Sequence, residues 1–198
     1  MRGWTVNVDP GLLAAENGLG ERALNLLDHK LFDVCHVVPA LALKQLKQIT
    51  IWMDLDDPRV QGGVYHPSRE WLESNDYNPQ LAKSIQFGNA ENFISWSFTQ
   101  PWMVMHELAH AYHHQFLGYD DERIESAYDA AKESKRYEQV LHSGGERKRA
   151  YGLNNSKEYF AELTEAYFGA NDFYPFVQVE VAQFDEQAFK VLGEVWGK

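Results

Sequence analysis

The first half of the chain mixes strand-like and helix-like patterns of hydrophobic residues. Gly3–Val8 has the sequence GWTVNV, in which hydrophobic and polar residues alternate as they do in a half-buried β-strand. Apolar residues recur every three or four positions in Glu21–Val38, which predicts an amphipathic helix, and Pro39 is expected to open a short second helix. Three further segments predict strands: Ile49–Leu55, Gly63–His66 and Ser84–Asn89.

The second half of the chain carries helical patterns. A helix is expected to begin near Thr99, which would cap it, with Pro101 in its first turn, and to end at about Leu117 because Gly118 follows. Strands that come first and helices that come afterwards are typical of an α+β fold. We predict one domain over residues 1–198, with a mixed part over 1–98 and a helical part over 99–198. Further helices are predicted at Asp120–Leu141, Asn155–Phe168 and Asp185–Trp196.

Composition narrows the classes of protein to which the chain can belong. Its 198 residues are 44% hydrophobic, as in globular proteins, and its net charge of −11 argues against a nucleic acid or an anionic membrane as a partner. Cys35 is the only cysteine, so neither a disulfide within the chain nor a cysteine-rich zinc site is expected. The start of the chain lacks the pattern of a signal peptide. We therefore expect a cytoplasmic protein, or an exported one if a signal has been removed.

The helix predicted before Gly118 contains the metal-binding pattern H-E-x-x-H, as HELAH at His106–His110. Side chains at positions i and i+4 of a helix lie about 40° apart around its axis, so the two imidazoles converge on one ion. Glu107 lies to the side, where it reaches a water on the ion rather than the ion itself. His113 lies about 10 Å along the axis from His106, so we place it beside the ligands and not on the metal, with His114 partly exposed.

A third ligand is expected from the later segment EYFAELTEAYF, which offers Glu158, Glu162 and Glu165. A histidine that binds a metal commonly donates its other ring N–H to a carboxylate. Glu158 and Glu162 lie four residues apart on one helix face and supply both parts, whereas Ala166 would hold the second place if Glu162 were the ligand. We therefore predict Glu158 as the third ligand and Glu162 as the carboxylate behind a histidine.

Two imidazoles, one carboxylate and an open fourth position are the arrangement of a catalytic zinc site. One Zn²⁺ per chain would activate a water, and Glu107 would take its proton as general base and deliver it to the leaving amine. Tyr151, seven residues before Glu158, is the predicted donor to the oxyanion. The predicted function is a zinc-dependent metallopeptidase that acts on peptides or proteins. Three other tyrosines are rivals that we expect to serve in packing: Tyr112, Tyr159 and Tyr174.

These residues resemble a known family. H-E-x-x-H followed by a glutamate on a downstream helix resembles the gluzincin group of zinc metallopeptidases, and YGLNNSKEYFAEL at Tyr151–Leu163 is similar to the segment with the third zinc ligand in the protease domain of the anthrax lethal factor family. The resemblance covers Pro101–Phe176, and Ala109 stands where that family has glycine. The resemblance implies the same roles as the spacing does. His106, His110 and Glu158 would be the zinc ligands, Glu107 the base and Tyr151 the donor to the oxyanion, with Glu162 beside the ligands.

The resemblance also implies a zincin-like fold. In that fold a small twisted mixed sheet packs on the HExxH helix, a mainly helical part supplies the third ligand, and an edge strand lines the cleft. Gly63–His66 and Ser84–Asn89 are the candidates for that strand and its neighbour.

Two other functions fit the same residues. One is a zinc-binding interaction module without turnover, although Glu107 and Tyr151 are present and neither is needed to hold zinc. The other is a zinc hydrolase of the same architecture that acts on non-peptide amides or esters.

Overall fold

The computed structural model describes residues 1–197, and the protein has an α+β fold. The chain divides into two compact units, Met1–Phe98 and the residues from Thr99 onward, and this division falls where the mixed and the helical sequence patterns meet. Within residues 1–197, no helix combines the length and the apolar character that crossing a membrane requires.

The first unit contains a four-stranded mixed sheet with the strand order β1-β2-β4-β3. Strand β2 pairs in parallel with both β1 and β4, while β3 lies at the edge and runs antiparallel to β4. The four predicted strands are present, but three are shorter than predicted. Strand β1 begins three residues late because Gly3 turns the chain at a φ of +97°, β2 lacks two predicted residues at each end, and β4 ends two residues early. The strands are β1 Val6–Val8, β2 Ile51–Met53, β3 Gly63–His66 and β4 Ser84–Phe87.

Five helices lie between and after these strands along the chain: α1 Pro10–Leu13, α2 Leu19–Val37, α3 Ala40–Leu46, α4 Arg69–Ser74 and α5 Ala90–Trp96. The apolar stripe that predicted α2 is buried, as the full burial of Leu27 and Leu31 shows. Helices α4 and α5 were not predicted, although each follows a standard cap. The side chain of Ser68 accepts a hydrogen bond from the backbone of α4, and that of Asn89 does so at α5.

The first unit also contains a cavity of about 570 Å³ beside β3. Trp71 and Tyr77 line it with their rings 5.3 Å apart, and the guanidinium of Arg59 lies 4.0 Å from the ring centre of Tyr77. None of the histidines and glutamates in the predicted metal site lines this cavity.

The second unit contains five helices and a short hairpin. Helices α6 and α8 pack against each other, and every side chain of α8 from Tyr159 to Phe168 is buried. The elements are α6 Met103–Tyr112, α7 Glu122–Ser134, β5 Val140–Leu141, β6 Arg147–Lys148, α8 Ser156–Phe168, α9 Gln178–Phe184 and α10 Glu186–Trp196.

Two predicted helix boundaries in this unit are wrong. Helix α6 begins at Met103 with Trp102 at its cap, because the chain around Pro101 forms a turn in place of a first helical turn. Helix α7 ends at Ser134, where Lys135 adopts a left-handed φ of +56°. Of the residues predicted to continue the helix, 135–139 form turns and Val140–Leu141 pair with β6 as strand β5.

The end of the H-E-x-x-H helix also differs from a regular α-helix. After Tyr112 the chain forms a five-residue π-helical turn, His113–Leu117, before Gly118 ends it at a φ of +91°. Short π-helical turns are rare and occur often at functional sites. The predicted stop at Gly118 is therefore confirmed, but the last turn is wider than predicted.

Candidate metal centre

Helix α6 brings two imidazoles together at one point. Its buried residues include Met105, Leu108 and Ala109, which fix the helix in the unit and leave His106 and His110 half-buried on one face. Their Nε2 atoms lie 3.0 Å apart, with the two rings at 79° to each other. The two histidines converge as the i, i+4 spacing predicts.

Helix α8 adds a carboxylate at the same point. The side chain of Asn155 accepts hydrogen bonds from the backbone N–H groups of Lys157 and Glu158, both at 3.0 Å, and so fixes the first turn of α8. One carboxylate oxygen of Glu158, Oε2, lies 3.2 Å from Nε2 of His106 and 3.2 Å from Nε2 of His110. The three predicted ligands are therefore together.

The spacing of these three atoms suits a small divalent cation. Ligand atoms that lie about 2.1 Å from a tetrahedral zinc ion are about 3.4 Å from one another. The three atoms here form a triangle with sides of 3.0 to 3.2 Å. His106, His110 and Glu158 can accordingly hold a metal ion.

The charges of the site favour a cation at this position. Burial disfavours the protonated form of His106, but hydrogen bonds to Glu158 and Glu165 outweigh it and raise the pKa of His106 well above its usual value. Burial works against ionisation of Glu158, yet its hydrogen bonds to the two histidines outweigh it and lower its pKa. Without a metal, a proton on His106 provides the positive charge between these carboxylates.

The carboxylate behind His106 is Glu165, which corrects the prediction for Glu162. Nδ1 of His106 lies 2.7 Å from Oε1 of Glu165, whose side chain is almost fully buried. Glu162 instead accepts a hydrogen bond of 3.1 Å from the side-chain amide of Asn171. The prediction considered a spacing of four residues, but residues seven apart on a helix also lie within about 20° of each other. Glu158 and Glu165 therefore share a face over two turns.

Glu162 remains close to this pair. His106, Glu162 and Glu165 form a second group whose ligand atoms lie within 4.8 Å of one another. Burial and the charge of Glu165 raise the pKa of Glu162 well above its usual value. Burial likewise raises the pKa of Glu165, although its hydrogen bond to His106 opposes this.

The predicted base and oxyanion donor also belong to this neighbourhood. Glu107 is buried on α6 between the two histidines, and its charge acts on His106 and on Tyr151. Tyr151 is 48% exposed in a short 3-10 turn, Tyr151–Asn154, that leads into α8. Burial of its ring and the charge of Glu158 raise the pKa of Tyr151, so its phenol keeps its proton at neutral pH.

The rival tyrosines have their side chains in other contacts. The hydroxyl of Tyr112 donates to the carbonyl of Val195 at 3.1 Å, and that of Tyr159 donates to Asp185 at 2.7 Å. The ring of Tyr174 packs edge-on against Phe184. These contacts match the packing roles that we expected.

His113 is fully buried and forms no hydrogen bond with His106, His110 or Glu158, the predicted metal ligands. Its ring packs edge-on against Tyr119 and Phe160, and neither ring nitrogen has a hydrogen-bond partner within residues 1–197. Burial lowers its pKa to about 4, so the ring is neutral. His113 thus lies next to the site as an apolar packing residue, because the π-helical turn directs it into the core. His114 is half-buried and stacks on Tyr119.

The sequence did not predict the contact of Glu165 with His106 or the position of Tyr119 near the site. Glu165 has a detectable signal, its spacing of seven residues from Glu158, whereas Tyr119 lies in a loop whose path no periodic pattern predicts. No family model, curated protein or solved structure matches the chain, so its function must be inferred from the site itself.

Proposed function

We propose that the protein is a zinc-dependent metallopeptidase of the zincin type. The observation that carries this proposal is the convergence of Nε2 of His106, Nε2 of His110 and Oε2 of Glu158, all within 3.2 Å of one another. Three protein ligands leave a fourth tetrahedral position open, which is typical of catalytic zinc and not of structural zinc.

The donor set favours zinc over the other common divalent ions. Imidazole nitrogen suits zinc and neighbouring transition metals, whereas magnesium and calcium prefer ligand shells made of oxygen. Bound Zn²⁺ would lower the pKa of a water at the open position and polarise a carbonyl of the substrate. The hydrogen bond from His106 Nδ1 to Glu165 would keep the ring oriented and its Nε2 free for the ion.

The remaining steps fall to residues of this chain. The carboxylate of Glu107 would accept a proton during attack on the peptide carbonyl and pass it to the leaving amine. The phenol of Tyr151, which keeps its proton, would donate a hydrogen bond to the carbonyl oxygen as negative charge develops there. Neither role is needed to hold a metal, and this favours a peptidase over an interaction module without turnover.

The fold gives further support to the resemblance with gluzincins of the lethal factor family. The first unit has a small mixed sheet whose edge strand β3 is antiparallel to its neighbour, and the second unit is mainly helical with the third ligand on α8. Both features belong to the zincin-like architecture that the sequence motifs imply.

The decisive experiment combines metal analysis with a screen for peptide hydrolysis. We expect the purified chain to hold about one zinc ion, and we expect wild type to cleave members of a broad peptide library. Glu107→Gln should keep the zinc and lose hydrolysis, because it removes the base and no ligand. Glu133→Gln, a change at an exposed glutamate on α7, should behave as wild type.

Two results would contradict the proposal. A chain that holds no zinc at micromolar free metal has no zinc site. A chain that holds zinc but cleaves no peptide in the library is an interaction module or a hydrolase of other amides or esters, and cleavage of small esters and amides then separates these two.

A further inference from the structure

Tyr119 lies at the junction of the two helices that carry the predicted ligands. It follows the turn at Gly118, and its ring packs edge-on against His113, with ring centres 5.2 Å apart, and stacks on His114 at 4.8 Å. On the other side, Nζ of Lys157 lies 4.1 Å from the centre of the same ring. These contacts hold the half-buried ring between the end of α6 and the first turn of α8.

The α8 residue that contacts Tyr119 is the direct neighbour of a predicted metal ligand. Lys157 directly precedes Glu158, and the backbone N–H groups of both donate hydrogen bonds to the side-chain oxygen of Asn155. The ring is therefore fixed relative to the turn that carries Glu158. The ring is also fixed relative to α6, because it packs on His113, which lies three residues after His110.

The hydroxyl of Tyr119 is available to form a hydrogen bond with a bound substrate. It forms no hydrogen bond with any residue of the described chain, whereas the hydroxyls of Tyr112, Tyr128 and Tyr159 each donate to a protein group. Burial and the charges of Glu158 and Glu107 raise the pKa of Tyr119 to about 12. The phenol thus remains a hydrogen-bond donor at neutral pH and lies within the electrostatic reach of the third ligand and of the base.

We propose that Tyr119 contacts the substrate: its hydroxyl donates a hydrogen bond to a backbone carbonyl of a peptide bound at the metal centre. This inference rests on the proposed metallopeptidase function. It gives the site two phenols with different tasks, Tyr151 at the reacting carbonyl and Tyr119 at a neighbouring one. A carbonyl is the fitting partner because the phenol and the ammonium of Lys157 both present donors.

The test uses the cobalt-substituted full chain and two probes that differ only in their peptide part. Acetohydroxamate offers a metal-binding group alone, and acetyl-leucyl hydroxamate adds a backbone carbonyl beyond it. Binding of each is followed by the visible absorption of cobalt, so the readout needs no turnover. The variants are Tyr119→Phe and, as a matched control that also loses one phenol hydroxyl, Tyr112→Phe.

We expect Tyr119→Phe to bind acetyl-leucyl hydroxamate about fivefold more weakly than wild type does, as the loss of one neutral hydrogen bond predicts. Its binding of acetohydroxamate, its cobalt content and its melting temperature should be unchanged. Tyr112→Phe should bind both probes as wild type does, although its melting temperature is expected to fall. For hydrolysed peptides, Tyr119→Phe should raise KM and leave kcat within a factor of two.

Three outcomes overturn the proposal. Equal affinity of Tyr119→Phe and wild type for acetyl-leucyl hydroxamate means that Tyr119 makes no such contact, while the proposed function stands. Loss of cobalt, or equal weakening of both probes, means that Tyr119 acts on the metal site and not on the peptide. Failure of the wild-type cobalt protein to bind either probe contradicts the proposed function itself, and the role of Tyr119 with it.

Discussion

Nδ1 of His106 lies 2.7 Å from a carboxylate oxygen of Glu165, a residue 59 positions later in the chain. This contact ties the H-E-x-x-H helix to the helix that carries Glu158, and it sets which nitrogen of His106 faces His110 and Glu158. The sequence motif alone does not determine the rotation of the ring. In this protein the rotation depends on a glutamate two helical turns beyond Glu158.

We predict that Glu165→Gln weakens zinc binding by about 10- to 100-fold, because a neutral amide holds the imidazole less firmly and lowers its basicity. Zinc affinity is measured by competition with a coloured chelator. Glu162→Gln is the matched control, since it is equally buried on the same helix but accepts its hydrogen bond from Asn171. An equal loss of affinity in both variants would show that any buried carboxyl group on α8, and not the contact with His106, matters for the metal.

We predict that zinc binding releases about one proton near pH 7. The pKa of His106 is raised in the metal-free protein, so the ring is protonated at neutral pH and must lose that proton before Nε2 can bind zinc. Zinc affinity should therefore fall about tenfold for each unit by which the pH falls below 7. Calorimetric titrations in buffers with different ionisation enthalpies measure the proton count, and a count of zero would rule out this linkage.

We predict that Tyr151→Phe lowers kcat by about 100-fold, which is the usual effect of removing one hydrogen-bond donor to an oxyanion. Zinc content should not change, because Tyr151 is 48% exposed and is not among the ligands. Steady-state kinetics on a peptide identified in the library screen, together with metal analysis, test this prediction. A rate equal to that of wild type would assign the oxyanion to a different donor.

We predict that His113→Phe stabilises the protein, most strongly at acidic pH. Both ring nitrogens of His113 are buried without a partner, so replacing the ring by one of similar shape removes a desolvation penalty of about 1 kcal/mol or more at pH 7. The folded-state pKa of about 4 lies below the ordinary value of 6.5. The unfolded chain therefore binds a proton at this histidine before the folded protein does. Wild type keeps its full stability above pH 6.5 and loses stability as the pH falls towards 4.

The variant lacks this loss, which amounts to roughly 3 kcal/mol down to pH 4 and to roughly 2 kcal/mol down to pH 5. Urea unfolding at pH 7.5 and pH 5 measures the difference, with the exposed His29→Gln as control. If His113→Phe were less stable than wild type at both pH values, the ring nitrogens would have a partner that accounts for their burial.

The parts of the structure that follow from local chemistry were predictable from the sequence. Strand β3 lies where GVYH stands between Gly62 and Pro67, and the π-helical turn after α6 stops at Gly118 as the φ of +91° requires. The convergence of His106 and His110 follows from helix geometry alone. The α+β class follows from the order of the two patterns along the chain.

The rest depends on contacts between distant residues. Helix propensity continues beyond Ser134, but pairing of Val140–Leu141 with Arg147–Lys148 takes those residues into a hairpin. Several carboxylates on α8 have a suitable spacing, and only the packing of α6 on α8 selects Glu165 as the partner of His106. The π-helical turn that buries His113 likewise has no signal in the periodicity of the sequence.

The burial of α8 constrains how this protein can change over generations. Glu162 and Glu165 lie inside the unit, where unpaired carboxylates are costly and apolar residues of similar size are often more stabilising. In a lineage without the proposed metal site, substitution of Glu165 by leucine or methionine would be tolerated and soon fixed. We therefore expect descendants of this chain to keep or lose Glu165 together with His106, and the two positions to vary as one inherited unit.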